Sequence, residues 1–228
     1  MHRHAGTGPG EITGDGCAVD LYALLPALGE AEIVHSAIPE GGSVLELGCG
    51  TGRILKPLAG LGHPVHGVDD SPGMLAYLTG LPTTCSPIES LRLSDRFDAV
   101  LLASNMLNAG PEQRRAFLAT CRCHLPGDGV AVFQYHPAAW FDAFPDGPRQ
   151  GDLGGITVVI RSCRRVSPGI ECELEYRAGG RSWTHAWVSH EISDAELRTD
   201  LAAADLAFGR WITTDREWFT ARPFTGSP

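Results

Sequence analysis

The sequence predicts an α/β protein built on a doubly wound, mostly parallel sheet, with an antiparallel β insertion after the fifth core strand. The first observation is that short apolar runs alternate with helical patterns between residues 44 and 135. The second is that these runs are nearly continuously apolar, which is typical of parallel strands covered by helices on both faces. The third is a change after about residue 150 to β-rich runs joined by turn sequences.

Periodicity and turn signals define the elements of the parallel part. Apolar residues at helical spacing predict a broken helix over residues 20–38, interrupted by Pro26 and Gly29. Further strands are predicted at residues 44–47, 64–69, 97–103 and 130–135, and further helices at 53–61, 72–81 and 112–125. Strands that alternate with helices are joined by crossovers, which favours parallel pairing.

The insertion is predicted at residues 151–191, with strands at 156–164, 170–177 and 182–191. Proline and glycine supply the turns between these strands. In the middle strand, Glu171, Glu173 and Glu175 alternate with apolar residues. We therefore expect one apolar face that is covered and one acidic face that is solvated.

The remaining segments complete the domain organisation. Residues 1–19 are rich in glycine and polar residues and are interpreted as a flexible tail, so the domain is expected to span residues 20–228. Ser193 and Glu196 have the spacing of a capping box that starts a last helix. Two β segments, at about 208–213 and 217–221, are expected to follow.

Composition excludes several classes of function. The 228 residues carry a formal net charge of −9, so the basic footprint that nucleic acid or an anionic membrane requires is missing. No signal peptide or membrane-spanning run is recognised, which favours a cytoplasmic protein. The expected partner is a small molecule, neutral or cationic, and the protein is expected to be a monomer or a homodimer.

The seven cysteines are scattered and form no paired CxxC motifs. Neither a disulfide framework nor a structural zinc site is therefore expected. Cys121 and Cys123 fall within a helical pattern and are interpreted as helix residues. No metal site is predicted.

A glycine turn follows the first apolar strand. Gly48, Gly50 and Gly52 have GxGxG spacing, and Arg53 stands where a dinucleotide fingerprint would place its last glycine. Glu46 adds a carboxylate that would repel phosphate and attract an ammonium or sulfonium cation. Asp69 ends the next strand, where a carboxylate accepts hydrogen bonds from ribose hydroxyls.

Three segments resemble successive motifs of the class I S-adenosylmethionine-dependent methyltransferases of small molecules. They are VLELGCGTGR at residues 44–53, VHGVDDSPGML at 65–75 and FDAVLLASNMLN at 97–108. The resemblance implies a Rossmann-like fold with S-adenosylmethionine as cofactor and S-adenosylhomocysteine as product. It assigns the methionyl end of the cofactor to Gly48, Cys49 and Gly50 and the ribose to Asp69.

The residues expected to bind adenine match the family's motifs less fully. The resemblance implies that Met74 and the neighbouring Asp70 pack on adenine. Pro87 stands where family members often have an acidic residue that bonds the adenine amino group, so Glu89 or the backbone of Ile88 is expected to take that part. Ser104, at the end of the third motif, is also assigned to the cofactor.

The resemblance further implies that the insertion at 151–191 covers the methyl acceptor and that the helices of residues 20–42 close the other side. Side chains expected to contact the acceptor are Tyr22, Asn105, Asn108, Trp140 and His185. Each has a structural alternative: the asparagines as turn or cap residues, His185 as a surface residue, and two of Trp140, Trp183 and Trp187 as core residues.

Methyl transfer from a sulfonium is an in-line displacement, in which alignment supplies much of the acceleration. A hydroxyl acceptor needs a base, and a neutral amine does not. His136 is the candidate base because it directly follows a strand at the carboxyl edge of the sheet. Its structural alternative is a histidine that caps the strand or bonds to backbone.

The sequence predicts a methyltransferase that acts on oxygen or nitrogen of a small molecule, in a biosynthetic pathway for secondary metabolites. One alternative keeps the cofactor but catalyses a cyclisation or isomerisation without methyl transfer. Another is a nicotinamide-dependent oxidoreductase, which Arg53 in the glycine loop disfavours. The acceptor and its nucleophilic atom are not determined by the sequence.

Overall fold

The computed structural model describes residues 4–144 and 148–224. The chain forms two compact units, each built from two segments. The antiparallel unit comprises Met1–Ala27 and Ala138–Glu191, and the core unit comprises Leu28–Pro137 and Ile192–Pro228.

Within the described residues, the strands are β1 (Ala5–Thr7), β2 (Val44–Leu47), β3 (Val65–Asp69), β4 (Thr83–Cys85), β5 (Ala99–Leu102), β6 (Val130–Gln134), β7 (Arg149–Leu153), β8 (Ile156–Val166), β9 (Gly169–Ala178), β10 (Arg181–Ser189), β11 (Leu206–Trp211) and β12 (Trp218–Pro223). The helices are α1 (Val19–Tyr22), α2 (Glu30–His35), α3 (Leu55–Gly60), α4 (Pro72–Leu75), α5 (Pro111–Cys123), α6 (Ala138–Ala143) and α7 (Asp194–Ala203). Short 3-10 helices cover Ile88–Ser90 and Met106–Asn108.

The core unit contains a seven-stranded sheet in the order β11-β12-β6-β5-β2-β3-β4. The five strands from β6 to β4 run parallel, and β12 and β11 are added antiparallel at one side. In register, Val44 of β2 lies opposite Val65 of β3 and Ala99 of β5. The carboxyl ends of β2, β3, β5 and β6 therefore meet at one edge, where ligand sites of open α/β sheets form.

Helices cover both faces of this sheet. Leu45 packs in one apolar cluster with residues of α5 and α7, such as Phe117 and Leu201. Val44, the preceding residue, packs in a second cluster with residues of α2 and α3. Successive strand residues point to opposite faces, so both sets are buried and the strands read as continuous apolar runs. The predicted doubly wound α/β fold is confirmed.

Three predictions about individual elements can be compared with the structure, and two of them differ from it. The helix predicted over residues 20–38 is two short helices, α1 and α2, which belong to different units. Strand β4 was not predicted, because its three residues are polar or partly exposed and carry no apolar run. The capping box at Ser193 and Glu196 is present as predicted, with both reciprocal hydrogen bonds formed.

The antiparallel unit contains a five-stranded sheet in the order β1-β10-β9-β8-β7. The insertion thus contributes four strands beginning at Arg149, whereas three beginning at residue 156 were predicted. The N-terminal segment differs from the flexible tail expected over residues 1–19, since Ala5–Thr7 form an edge strand on β10. Its backbone pairs with a strand far away in sequence, which a glycine-rich composition does not reveal.

The acidic face predicted on β9 is only partly solvated. Glu175 is buried, and Arg161, Arg177 and Ser182 all donate hydrogen bonds to its carboxylate. These hydrogen bonds lower the pKa of Glu175. Arg161 on the neighbouring strand β8 and Arg177 on β9 itself therefore neutralise this last residue of the stripe, and the contact with Arg161 cannot be read from spacing within one strand.

A disulfide joins Cys163 of β8 to Cys172 of β9, contrary to the expectation from the scattered cysteines. The two residues are direct partners in the antiparallel register. Their pairing depends on the register of the hairpin, and a count of cysteine spacings does not contain that information.

The described residues also bear on two other features, membrane-spanning helices and metal sites. Over residues 4–144 and 148–224, no helix is both long enough and apolar enough to cross a membrane. Over the same residues, no group of three or more His, Cys, Asp or Glu side chains is arranged to hold a metal ion.

Candidate cofactor and acceptor site

The glycine turn between β2 and α3 needs glycine for steric reasons. Gly48, Gly50 and Gly52 all have positive φ, at 68°, 54° and 84°. A Cβ on Gly48 would lie 2.5 Å from the Met106 sulfur, and one on Gly52 would lie 2.2 Å from a Leu78 methyl carbon. The backbone of the turn is thus held where no side chain fits, which leaves it accessible to a ligand.

Asp69, at the end of β3, braces this turn. Its carboxylate accepts hydrogen bonds from the backbone N–H of Gly50 at 2.8 Å and of Ser71 at 3.0 Å. The N–H of Cys49 donates to the carbonyl of Val68 at 2.9 Å, which ties the turn to β3 a second time. Each carboxylate oxygen has two lone pairs, so Asp69 retains acceptor capacity for the hydroxyls of a ribose.

Glu46 lies under the glycine turn and is 3% exposed. Its Oε2 has no hydrogen-bond partner among the described residues. Burial raises the pKa of this carboxyl to about 8, against an opposing effect of Arg53. A buried acceptor atom without a donor fits the sequence prediction that Glu46 receives a cationic group of the ligand.

Arg53 follows the turn, and its guanidinium forms an ion pair with Glu30 of α2. Glu30 is also buried and accepts a hydrogen bond from the backbone N–H of Leu28 at 2.6 Å. The sequence interpretation used Arg53 only to exclude a dinucleotide fingerprint, and it missed Glu30. The two residues are 23 positions apart, and no motif spacing links them.

The residues assigned to adenine lie on α4 and beside the 3-10 helix that follows β4. Met74 of α4 is buried, while Asp70 and Glu89 are exposed. The side chain of Ser71 caps α4 by accepting from the N–H of Met74 at 3.2 Å. The carbonyl of Ile88 accepts from Thr120 at 3.0 Å, so the backbone at this position is fixed by α5.

The carboxyl ends of β5 and β6 carry strained and buried polar residues. Ser104 and Asn105 both have positive φ, 56° and 57°, which costs non-glycine residues on the order of 1–3 kcal/mol. The N–H of Ser104 donates to the side chain of Gln134 at 2.8 Å. The Asn105 Oδ1 is buried without a hydrogen-bond partner in the described part of the chain. Gln134 was missed because it belongs to no recognised motif, and Met106 was missed although it lies within the third motif.

Asn108 holds His136 through its backbone. The Asn108 amide donates to the carbonyl of His136 at 3.0 Å, and its oxygen accepts from the N–H of His136 at 2.7 Å. Asn108 is 2% exposed, and its side chain bonds the backbone of a residue 28 positions away, whereas the structural alternative was a local turn or a helix cap. Burial lowers the pKa of His136 to about 4, and the imidazole is therefore uncharged at neutral pH.

The remaining acceptor candidates belong to the antiparallel unit. Tyr22 is partly buried, the resulting desolvation raises its pKa, and its hydroxyl accepts a hydrogen bond from the thiol of Cys17 at 3.0 Å. Trp140 packs on Phe144, with ring centroids 4.7 Å apart. His185 lies 3.4 Å from the carbonyl oxygen of Asp15. Trp183, at 1% exposed, is a core residue, in line with the structural alternative.

The structure thus places all residues predicted to bind cofactor in the core unit, together with Asn105, Asn108 and His136. The turn glycines, Asp69 and Glu46 are brought together at the carboxyl edge of the sheet, as their positions after successive strands indicate. Tyr22, Trp140 and His185 lie in the other unit.

Comparison with known proteins finds a methyltransferase domain in this chain and methyltransferases among its relatives. Residues 44–129 match a family described as a methyltransferase domain. The chain is 28% identical over 179 residues to dTDP-3-amino-3,6-dideoxy-alpha-D-glucopyranose N,N-dimethyltransferase of Streptomyces fradiae, covering 72% of this chain and 68% of that protein. It is 30% identical over 125 residues to the putative methyltransferase YqeM of Bacillus subtilis, and that match spans only half of either protein.

Among solved structures, CalS10 with bound S-adenosylmethionine is similar at a TM-score of 0.67 and 26% identity, over 86% of this chain and 89% of that one. CalS10 is an amino pentose methyltransferase from Micromonospora echinaspora involved in calicheamicin biosynthesis. The chain thus carries an S-adenosylmethionine-dependent methyltransferase domain at residues 44–129 and is similar to methyltransferases that act on small molecules. The buried Glu46 oxygen without a hydrogen-bond donor and the glycine turn that has no room for side chains fit S-adenosylmethionine as the cofactor.

Proposed function

We propose that this protein transfers a methyl group from S-adenosylmethionine to the amino nitrogen of a sugar or sugar-like small molecule in a biosynthetic pathway. Two relatives that match most of the chain are named for acceptors of that kind, an amino-dideoxyglucose joined to dTDP and an amino pentose. The observation in this chain that favours nitrogen over oxygen is the burial of His136, which makes its imidazole a weak base. A hydroxyl needs a base, whereas an amine attacks with its own lone pair once it is neutral.

The cofactor, when bound, supplies an electrophilic methyl carbon. The backbone of Gly48, Cys49 and Gly50 holds its methionyl end, and Glu46 receives the ammonium. Asp69 accepts hydrogen bonds from the ribose hydroxyls while it continues to brace the turn. Met74, Asp70, Ile88 and Glu89 contact adenine, and Ser104 lies beside the methionyl group.

His136 then acts on the acceptor as an orienting group. A neutral imidazole nitrogen accepts a hydrogen bond from the acceptor N–H, so that the amine lone pair is directed away from His136. Asn108 fixes the position of His136 through the backbone. Contacts of Asn105, Tyr22, Trp140 and His185 with the acceptor stay predictions from the sequence. A monomeric or homodimeric state and a cytoplasmic location stay predictions.

The proposal is tested by incubating the protein with S-adenosylmethionine and pairs of sugars that differ only in an amino or a hydroxyl group at one carbon. Formation of S-adenosylhomocysteine and of the methylated sugar is followed by mass spectrometry. We expect methylation of amino sugars, including nucleotide-linked ones, and none of their hydroxyl counterparts. Methylation of the hydroxyl sugar alone would contradict the proposal, and conversion without S-adenosylhomocysteine would point to a cyclisation or isomerisation.

A further inference from the structure

The carboxyl of Glu46 lies in an unusual electrostatic position. It is 3% exposed, and its Oε2 finds no hydrogen-bond donor in the described part of the chain. The cation nearest to it in sequence, Arg53, is engaged in an ion pair with Glu30. A buried carboxylate left in this state would lack the donors that normally compensate for lost hydration.

The groups around Glu46 come from several elements. Asp69 at the end of β3 and Glu30 of α2 repel a negative charge there, and burial disfavours that charge even more. Only Arg53 and the backbone N–H of Leu55 act in the opposite direction. The sum raises the pKa of Glu46 from 4.5 to about 8. The Arg53 guanidinium thus acts on two buried carboxyl groups, on Glu30 as an ion pair and on Glu46 through its charge.

We propose that Glu46 carries a proton in the cofactor-free protein and releases it to solvent when the cofactor binds. The O–H bond of the acid breaks, the proton passes to water and buffer, and the carboxylate formed faces the methionyl ammonium. The incoming ammonium supplies the positive charge that the cluster lacks, so ionisation of Glu46 becomes favourable only with the ligand in place. The inference concerns the cofactor and is independent of which acceptor is methylated.

Isothermal titration calorimetry with S-adenosylhomocysteine tests this inference, because this ligand has the ammonium but neither the sulfonium nor a methyl group to transfer. Titrations at pH 7 in buffers with different ionisation enthalpies give the number of protons released. With a pKa of about 8 in the free protein, we expect release of about 0.9 proton per ligand. His136 is uncharged at this pH and adds no proton of its own. Affinity should rise about tenfold per pH unit between roughly pH 6 and 7.5.

Glu46→Gln is the decisive variant, since an amide resembles the protonated acid and cannot ionise. We expect it to fold, to bind the ligand more weakly at pH 8, and to release no proton. Glu32→Gln is the control, because it makes the same chemical change at an exposed site outside the cluster. This variant should still release the proton on ligand binding. Proton release that persists in Glu46→Gln, or wild-type binding enthalpies that are identical in all buffers, would overturn the inference.

A second measurement needs no ligand. Infrared or carbon-13 NMR titration of the cofactor-free protein, with Glu46→Gln as the reference for assignment, should show a carboxyl that ionises near pH 8. Ionisation near the ordinary value of 4.5 would overturn the inference even though the cofactor binds. Complete failure of S-adenosylhomocysteine to bind would overturn both the cofactor assignment and this inference. That outcome is distinguishable from binding without proton release, which would overturn this inference alone.

Discussion

Both hydrogen-bonding groups of the Asn108 side chain are engaged by the backbone of His136. At the scale of single residues, this arrangement separates two tasks. Asn108 positions the peptide of His136, and burial keeps the imidazole uncharged at neutral pH. The low pKa of His136 favours the proposed amine acceptor, because a weakly basic imidazole suits an amine better than a hydroxyl.

His136→Gln tests the role of this imidazole. General-base catalysis typically contributes roughly 10²–10⁴-fold, whereas loss of an orienting hydrogen bond costs less. We expect kcat for an amino sugar to fall about tenfold and the remaining rate to increase with pH as more of the amine is neutral. Steady-state kinetics between pH 6 and 9 measure this. A loss of more than a thousandfold at every pH would instead identify His136 as an essential base.

The same substitution has a consequence for stability. Burial lowers the pKa of His136 from 6.5 to about 4 in the folded protein, so the unfolded chain binds more protons between these values. The wild-type protein therefore loses stability as pH falls through this window, and His136→Gln should lose less. Denaturant unfolding of both proteins at pH 7 and pH 5 gives the difference, and equal losses would contradict the low pKa.

Residues whose role follows from local sequence were predictable. The turn glycines, Asp69 and the Ser193 capping box all depend on neighbours a few positions away, or on the regular order of strands. Glu30 and the engagement of Asn108 depend on contacts between distant segments, 23 and 28 positions apart. The burial of Glu175 and the bond between Cys163 and Cys172 depend on strand register, which periodicity alone does not fix.

At the scale of elements, a buried ion cluster joins α5 to α7. Asp200 is 2% exposed and accepts hydrogen bonds from Arg114 and Arg115, both at 2.7 Å. The Arg114 side chain is 4% exposed and that of Arg115 is 61% exposed. The two arginines thus make the same contact from very different environments, which allows a matched comparison.

Asp200→Ala should destabilise the protein by about 3–5 kcal/mol, because it leaves the buried Arg114 guanidinium without its counter-charge. Arg115→Ala removes an exposed partner of the same carboxylate and should cost less than about 1 kcal/mol. Urea unfolding followed by circular dichroism measures both. Equal costs for the two variants would show that burial does not set the strength of these pairs.

The connection from β2 to α3 permits a second test at this scale. Gly48→Ala places a methyl group 2.5 Å from the Met106 sulfur at a φ of 68°. We expect weaker binding of S-adenosylhomocysteine and lower stability. In the double variant with Met106→Ala the contact is relieved, and only the conformational cost of about 1–2 kcal/mol should remain. Additive effects of the two substitutions would contradict a direct contact.

At the scale of the whole molecule, the chain divides its predicted functions between two units. Every residue assigned to the cofactor lies in the core unit, and three of the residues assigned to the acceptor lie in the antiparallel unit. Each unit has its own sheet and its own apolar clusters. Substitutions of acceptor residues in the antiparallel unit should therefore change the binding of the acceptor and spare that of the cofactor.

His185→Ala and Asp69→Ala form a reciprocal pair. His185→Ala should raise KM for the acceptor about 2- to 10-fold, the value of one hydrogen bond, with the affinity for S-adenosylhomocysteine unchanged. Asp69→Ala should weaken that affinity by roughly 1–3 kcal/mol. Calorimetry and acceptor kinetics on both variants provide the comparison. A loss of cofactor affinity in His185→Ala would show that the two functions are not separated in this way.

Strand β12 is formed from almost the last described residues, yet it lies inside the large sheet, between β6 and β11. On the ribosome, the cofactor turn and its acid emerge long before β6 has a neighbour on its outer side. Until residues 218–223 are synthesised, that side presents unpaired amides and carbonyls, the kind of edge on which nascent chains aggregate. Completion of the large sheet therefore depends on strands that are synthesised after all the residues assigned to the cofactor.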